Sequence, residues 1–171
     1  MTQPPQTAID PLIFRQVLGH YPTGVCIITA RSDAGEQFGM VVGSFTSVSL
    51  DPPLVAFLPD KNSRSWRQLE SVGRFCVNIL AEDQLPLCRS FSAKTGDKFA
   101  GVSHRISDNG SPVLDNVLAW IDCTTHAVHE AGDHMFVMGR VQAMEVDRCG
   151  EPLLFFRGGY GSFRAPQEVL G

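Results

Sequence analysis

The sequence predicts a mainly β fold, an antiparallel barrel accompanied by a few short helices. Many short stretches rich in β-branched and aromatic residues are punctuated by glycine and proline, a pattern typical of strands joined by turns. Few stretches show the apolar spacing of helices, which disfavours the regular alternation of a parallel βαβ sheet. A barrel also closes its own sheet edges, and this suits a chain with several long apolar strands.

The first half of the chain begins with a predicted helix over residues 9–20. Asp10 is suited to cap this helix and Pro11 fits its first turn, while a glycine and a proline end it. Strands are then expected at residues 24–30, 38–42, 45–50 and 54–58. The strand at 45–50 either continues its predecessor or follows a bulge at Gly43.

The second half of the chain is expected to add two more helices and further strands. Ser63 is suited to cap a short helix that Gly73 ends, and another helix covers residues 82–91. The strands are expected at residues 74–80, 112–114, 117–128, 135–146 and 152–156. Residues 94–101 are expected to form a loop, and the tail after Gly158 is expected to be loose.

Length and composition indicate one domain over residues 1–171, with its core at about 10–160. Hydrophobic residues make up 43%, and the formal net charge of −4 disfavours nucleic acid as the main partner. No apolar run approaches the ~18 residues of a membrane span, and the polar N-terminus does not resemble a secretory signal. The five scattered cysteines include no CxxC pair, so we expect reduced thiols in a cytoplasmic protein.

Two motifs invite comparison with nucleotide and metal sites. The glycine-rich stretch 158–161 follows a strand, but the sequence after it has no room for the helix that would hold a pyrophosphate. Any dinucleotide is therefore expected to bind in another geometry. His126 and His129 form an HxxH pair, but on a strand this odd separation places the two side chains on opposite faces. We therefore expect no metal site there.

Two polar stretches are the candidate ligand sites. Residues 44–49, SFTSVS, have no apolar face at strand periodicity, so they form either an exposed edge strand or a strand lining a polar heteroaromatic ligand. Residues 61–65, KNSRS, combine positive charge and hydroxyls at a helix start, which suits either a solvated cap or a phosphate. The residues alone leave both choices open.

Motifs along nearly the whole chain, in order, carry a family resemblance. They are FRQVLGHYPTGVCIIT (14–29), GMVVGSFTSVSLDPPLVAF (39–57), NSRSW (62–66), GRFCVNIL (73–80), RSF (89–91), DKFAGV (97–102), GSPVLDNVLAWIDC (110–123), GDHMFVMGRV (132–141) and EPLLFFRGGY (151–160). Together they resemble the flavin reductase-like family, whose fold is the FMN-binding split β-barrel. The SFTSVSLDPP stretch and the GDH segment are the most specific parts.

The resemblance implies where the ligands lie. The isoalloxazine ring is expected along one strand and loop, at Ser44, Phe45, Thr46, Ser47, Val48 and Ser49. The flavin phosphate is expected near the following turn, at Lys61, Asn62, Ser63 and Ser65. Further cofactor contacts are implied by the RSF, DKF and GGY motifs, at Arg89, Phe91, Lys98, Phe99 and Tyr160. The histidine of GDH, His134, is expected beside the nicotinamide and is the candidate catalytic residue.

The activity implied by the resemblance is reduction of FMN or FAD by NADH or NADPH. Such proteins are usually homodimers with flavin sites near the subunit interface, and they often supply reduced flavin to a separate monooxygenase. Three alternatives remain. The first is a non-catalytic flavin-binding protein, and the second is another oxidoreductase on a related split barrel, such as a pyridoxamine phosphate oxidase-like protein. The third is a structural interaction protein that has lost its ligand.

One stretch departs from the family pattern. Many relatives carry hydroxyl or amide side chains just before the serine of SFTSVS, where this chain has Val41, Val42 and Gly43. Side-chain contacts to flavin from positions 41 and 43 are therefore absent, although backbone contacts survive. Either flavin binds weakly as a substrate, or the chain prefers a different ligand.

Overall fold

The computed structural model describes residues 9–164, which form three α-helices and twelve strands. The helices are α1 (Pro11–Leu18), α2 (Arg64–Glu70) and α3 (Leu85–Ser92). The strands are β1 (Thr23–Gly24), β2 (Cys26–Arg31), β3 (Gln37–Val42), β4 (Thr46–Leu50), β5 (Pro53–Phe57), β6 (Arg74–Ile79), β7 (His104–Ile106), β8 (Pro112–Leu114), β9 (Ala119–Ala131), β10 (His134–Val146), β11 (Leu153–Phe156) and β12 (Gly159–Ser162). The prediction of a mainly β fold with few short helices is confirmed.

Seven strands form the main sheet in the order β3-β2-β6-β9-β10-β5-β4, and every pairing is antiparallel. Its two outermost strands, β3 and β4, are joined by residues 43–45 alone. Such a linker spans at most about 14 Å, whereas six flat spacings of about 4.8 Å would separate the edges by roughly 29 Å. The sheet must therefore be rolled until its edges approach each other, as in a barrel that is split along one side.

This topology settles how the 45–50 strand relates to its predecessor. β4 neither continues β3 nor follows it across a bulge, because the two strands lie at opposite edges of the sheet. Both predicted relations, a continuous strand and a bulge at Gly43, are therefore wrong. A Cβ atom at Gly43 would lie 2.8 Å from Thr23 Oγ1, so the crossing between the edges leaves little room for a side chain there.

The predicted helix signals are confirmed in detail. Asp10 Oδ1 accepts a hydrogen bond of 2.8 Å from the Leu12 backbone N–H, and Pro11 occupies the first helical position. Ser63 Oγ accepts from the Trp66 N–H at 3.3 Å, which caps α2. These short-range signals depend only on neighbouring residues, so they can be read directly from the sequence.

Two strands of the structure, β12 and β7, were not predicted from the sequence. The first part of the tail after Gly158 is not loose, because β12 (Gly159–Ser162) pairs with β11 along its whole length. The rest of the predicted loose tail, residues 165–171, lies outside the described residues. The turn between β11 and β12 has positive φ at both Arg157 (50°) and Gly158 (81°), as a two-residue type I′ hairpin requires. β7 was not predicted either, since its three residues, His104–Ile106, carry no strand pattern long enough to detect.

Apolar layers cover both faces of the sheet. Ile27 and Ile28 belong to different clusters because successive strand residues point to opposite faces. α2 adds Trp66 and Leu69 to the first layer, whereas α3 adds Cys88 and Phe91 to the second. Both helices also contact the outermost strand β3. That edge of the sheet therefore lies between two firmly packed helices.

Candidate functional site

A cleft of about 810 Å³ runs along β3, between the start of α2 and the segment that follows α3. Its lining combines backbone, hydroxyls and charged side chains: Glu36, Gln37, Phe38, Gly39, Met40, Val41, Asn62, Ser63, Arg64, Ser65, Gln68, Phe91, Ser92, Ala93, Lys94, Thr95, Gly96, Asp97 and Lys98. A cavity of this size falls within the range of sites for small organic ligands. It brings together five of the predicted residues: Asn62, Ser63, Ser65, Phe91 and Lys98.

Lys98 joins three walls of this cleft. Its Nζ atom donates hydrogen bonds of 2.9 Å to the Gly39 carbonyl oxygen on β3 and to Ser65 Oγ at the start of α2. Burial lowers the pKa of Lys98 from its ordinary value. The cleft therefore contains a fixed, half-buried amine whose two protein partners are neutral acceptors.

A second, smaller cavity of about 180 Å³ adjoins the cleft, and Val41 lines both. Its walls are mostly apolar: Val25, Val41, Val42, Gly43, Phe155 and Tyr160. The Tyr160 hydroxyl lies 3.6 Å from Cys88 Sγ, and this contact together with burial raises the pKa of Tyr160. Residues 41–43, which depart from the family pattern, thus form part of an apolar wall beside the polar cleft.

Lys61 and His134 lie just outside the cleft, in a region we call the rim: Asp60, Lys61, Glu130, Asp133 and His134. Lys61 Nζ pairs with Glu130 Oε2 at 3.1 Å, and His134 Nδ1 donates to Asp133 Oδ1 at 2.7 Å. Asp60 and His134 form a backbone bridge, so the two segments are side by side. His134 begins β10 with a part-exposed side chain, which agrees with its predicted place at the end of the barrel.

The SFTSVS stretch forms the edge strand β4 and the residues leading into it. In the single chain β4 is largely exposed, as the edge-strand reading requires. Ser44 has a specific structural contact: its Oγ accepts from the Leu58 N–H at 2.9 Å and lies 3.3 Å from the Leu58 carbonyl oxygen. Phe45 packs against the first apolar layer. Ser44 is thus held next to the segment that continues into Lys61 and the cleft.

Arg89 and Phe99 line neither the cleft nor the smaller cavity, and two cationic residues of the cleft were not predicted. Arg89 is exposed on α3 outside the cleft lining, and Phe99 is buried against Phe91 with ring centroids 5.0 Å apart. Arg64 and Lys94 line the cleft but were not predicted. Arg64 stands inside the NSRSW motif, so its charge was a usable signal, whereas Lys94 lies in a segment without any pattern.

The remaining reactive side chains give no second site among residues 9–164. Cys26, Cys76, Cys88 and Cys123 are buried free thiols, and burial raises the pKa of Cys26 to about 12. His126 and His129 both lie on β9, as the strand prediction requires. Within the described range no three His, Cys, Asp or Glu side chains are arranged to hold a metal ion. No helix of that range is long and apolar enough to cross a membrane.

The chain matches a known family over most of its length. Residues 18–164 match the model of the flavin reductase like domain. The chain belongs to this family. The prediction of a flavin reductase, and hence of an oxidoreductase, is confirmed at this level.

Individual relatives are similar over nearly the whole chain. A flavin reductase from Pseudomonas putida is 57% identical over 160 residues, which are 94% of each chain. The reductase subunit HsaB of a flavin-dependent monooxygenase from Rhodococcus jostii is 50% identical over 162 residues, 95% of this chain and 83% of that one. The solved structure of nitrilotriacetate monooxygenase component B from Mycobacterium thermoresistibile superposes with a TM-score of 0.86, at 46% identity and 94% coverage of each chain. The split-barrel fold expected for this flavin reductase is therefore confirmed.

Proposed function

We propose that this flavin reductase uses NADH or NADPH to reduce FMN or FAD. The enzyme then releases the reduced flavin to a separate monooxygenase. The observation that carries the proposal is the polar cleft around Lys98, which shares Val41 with a small apolar cavity. Cations and hydroxyls suit a phosphate, whereas apolar walls suit part of an aromatic ring. The described residues therefore fit a phosphorylated flavin.

The proposed ligand positions follow the path of the chain from Ser44 to the cleft. The isoalloxazine ring lies along residues 44–49 and the neighbouring backbone of Val41 to Gly43. The ribityl phosphate lies toward the hydroxyls at the start of α2 and the amines of Lys61 and Lys98. Three residues complete the proposed flavin contacts: Arg89 and Tyr160 from outside the cleft, and Phe91 in its wall. Phe99 is proposed to support Phe91 from behind.

His134 is proposed to orient the nicotinamide. The bound nucleotides supply the chemistry, a hydride transfer from the nicotinamide to the flavin. Because Asp133 holds one ring nitrogen of His134, the other is available to the nicotinamide carboxamide. The role of the protein is then to hold the nicotinamide and flavin rings in one reactive geometry and to exclude misaligned arrangements of the two rings.

The monooxygenase partner is proposed from the relatives. The Rhodococcus jostii relative is the reductase subunit of a flavin-dependent monooxygenase, and the chain covers 83% of its length. A flavin held as a substrate must leave the reductase once reduced. The side-chain contacts missing at positions 41 and 43 agree with such release.

A homodimer is proposed from surfaces that a single chain leaves uncovered. All eight residues of α1 are exposed, including Leu12 at 72% and Val17 at 62%, and a helix this short is marginal without packing. Leu50 on the edge strand β4 is 96% exposed. A second copy of the chain would cover these apolar surfaces and place residues 44–49 near the interface. Light scattering at micromolar concentration should give the dimer mass, and a monomer mass would contradict the proposal.

The direct test of the activity is a steady-state assay with each nicotinamide and each flavin. Oxidation of NADH or NADPH is expected with FMN or FAD and is expected to be negligible without flavin. Bound flavin with negligible oxidation would instead identify a non-catalytic flavin carrier. Absence of both binding and turnover with every combination would reject the proposed function.

A further inference from the structure

Gln37 lines the cleft, and its side-chain amide is held by a histidine that lies outside the cleft lining. Gln37 Nε2 is 2.6 Å from His104 Nε2, and His104 Nδ1 is 2.9 Å from the Val102 carbonyl oxygen. The imidazole ring also packs edge-to-face against the buried Phe99, with ring centroids 5.3 Å apart. Both ring nitrogens of His104 are therefore engaged, and its ring is held in place by packing.

These contacts determine the orientation of the Gln37 amide. A carbonyl oxygen only accepts hydrogen bonds, so His104 Nδ1 carries the proton that is donated to Val102. In a neutral imidazole the other nitrogen, Nε2, then has a lone pair and accepts. An amide nitrogen donates and does not accept, so Gln37 Nε2 donates to His104. The reversed amide would place its carbonyl oxygen against the lone pair of the ring.

The oriented amide presents a donor and an acceptor side by side. An amide nitrogen carries two N–H donors, and His104 takes one of them. That contact leaves the second N–H and the carbonyl oxygen Oε1 of Gln37 for a ligand. Adenine matches this pair, because its exocyclic amine donates next to a ring nitrogen that accepts. Hypoxanthine has a carbonyl oxygen in place of the amine, so it would meet the acceptor of Gln37 with another acceptor.

The order of residues along β3 indicates which part of a flavin would reach Gln37. Gln37, Gly39 and Val41 are alternate residues of one strand, so they face the same side of the sheet. Val41 lines the apolar cavity that suits the flavin ring, and the Gly39 carbonyl oxygen holds Lys98. At about 3.3 Å per residue, Gln37 lies roughly 7 Å beyond Gly39 on the side away from Val41. FMN ends at its phosphate, whereas FAD continues into an adenosine that would extend in this direction.

We infer that Gln37 recognises the adenine ring of FAD, and that His104 is the positioning residue that fixes the Gln37 amide for this contact. This assignment rests on the proposed function and deepens it, because it selects FAD over FMN as the preferred flavin. Adenine is also present in the nicotinamide nucleotides. The experiment therefore has a separate arm for each of the two sources of adenine.

The first arm measures the affinity of the wild-type chain for FAD, FMN and flavin hypoxanthine dinucleotide, without any nicotinamide. FAD should bind about 10- to 100-fold more tightly than the hypoxanthine analogue, as expected for a bidentate contact to adenine. FAD should also bind more tightly than FMN, which has no base. Equal affinity for FAD and the hypoxanthine analogue would overturn the assignment.

Gln37→Met tests recognition, because it removes both the donor and the acceptor. The affinity for FAD should fall to that for the hypoxanthine analogue. The affinity for FMN should change by less than about twofold, as for a substitution away from the ligand. If FMN and FAD were weakened equally, Gln37 would be a structural residue of the cleft wall and would not contact the base.

His104→Phe tests positioning, because it keeps an aromatic ring beside Phe99 but releases the Gln37 amide. The free amide can turn to suit either base. The preference for FAD over the hypoxanthine analogue should therefore fall by at least about fivefold, mainly because the analogue binds more tightly. A structural role of His104 would instead weaken all three flavins by the same factor and leave the preference unchanged.

His20→Phe is the matched control. His20 Nδ1 is 2.8 Å from the Gln16 carbonyl oxygen, and its ring packs edge-to-face with Phe156, so its contacts resemble those of His104. His20 lies outside the cleft lining, and its variant should keep the wild-type preference for FAD. An equal loss of that preference in the His20 and His104 variants would contradict the assignment.

The second arm compares NADH with reduced nicotinamide hypoxanthine dinucleotide in turnover, with FMN as the flavin. The two Michaelis constants should be nearly the same. A large difference that His104→Phe removes would assign Gln37 to the nicotinamide nucleotide and overturn the assignment to FAD. Reduction of FMN and FAD without any discrimination between bases would reject the adenine contact alone. A wild-type chain that neither binds nor reduces flavin would reject the proposed function as well.

Discussion

The cleft and the rim both carry positive charge, but they hold it in different ways. In the rim, Lys61 and His134 each contact a highly exposed carboxylate, that of Glu130 or Asp133. In the cleft, Lys98 is held by neutral oxygens on rigid elements. A cation already paired must give up its partner to bind an anion, whereas a cation anchored by neutral groups keeps its charge for the ligand. This difference predicts that the cleft binds the flavin phosphate and that the rim orients the nicotinamide.

The largest effect is expected from His134→Ala. Turnover at low nicotinamide concentration should fall about 10²-fold, because a misplaced nicotinamide reacts slowly. Flavin affinity should remain nearly unchanged, since His134 lies outside the cleft lining. His129→Ala provides the control, because His129 is an exposed residue of the same hairpin paired with Phe136. Normal turnover in His134→Ala would show that His134 is merely a turn residue.

The packing of the two regions is compared by two glycine substitutions. Gly39→Ala places a methyl group into the Phe91 ring and should lower the free energy of unfolding by about 1–3 kcal/mol. FMN affinity should fall too, because Gly39 anchors Lys98. Gly132→Ala meets no atom within 4 Å, and only its φ of +66° opposes the change, at about 1 kcal/mol.

Urea unfolding and FMN titration of both glycine variants give the answer. Gly132→Ala should bind FMN like the wild type. A Gly39→Ala variant with wild-type stability and FMN affinity would mean that the cleft wall is not rigid.

A smaller effect is expected when the rim charge is changed. Lys61→Ala should weaken FMN more than riboflavin, by about three- to tenfold, less than a fully available charged hydrogen bond provides. The reason is that Glu130 already occupies the Lys61 amine. Glu130→Gln should correspondingly strengthen FMN binding by up to about threefold. If Lys61→Ala weakened both flavins equally, Lys61 would have no place at the phosphate.

The smallest effect concerns acid stability in the rim. The hydrogen bond from His134, with the charge of that ring, lowers the pKa of Asp133. A carboxyl with a lowered pKa stabilises the folded state above its unfolded pKa of about 3.9, and this contribution is lost as the pH falls through the folded value. The difference in unfolding free energy between the wild type and Asp133→Asn should therefore shrink from pH 5 to pH 2.5. A constant difference across that range would contradict the assignment.

The sequence predicted those parts of the fold that depend on neighbouring residues. Asp10 with Pro11, and Ser63 before α2, are caps whose partners lie two or three residues away. The buried strands were recognisable because both sheet faces are covered, so they read as continuous apolar runs. The many strand and turn signals favoured an antiparallel barrel, and the family motifs then indicated that it is of the split-barrel type.

The parts that escaped prediction depend on contacts between distant residues. Lys61 and Glu130 are far apart in the chain, and no periodicity indicates that they pair. The hairpin of β11 and β12 turns through Arg157 at positive φ, a residue type that rarely signals such a turn. Phe99 belongs to a motif of the family, yet its environment is the apolar layer beside Phe91. Motif membership therefore located the site without resolving which residues face it.

The most direct measurement is the crystal structure of this flavin reductase with FMN bound. The phosphate is expected within hydrogen-bond distance of Lys98 Nζ and Ser65 Oγ, with Lys61 still paired to Glu130 and the flavin ring extending toward Ser44. A phosphate bound to Lys61 with the Glu130 pair broken and the Lys98 cleft empty would contradict it.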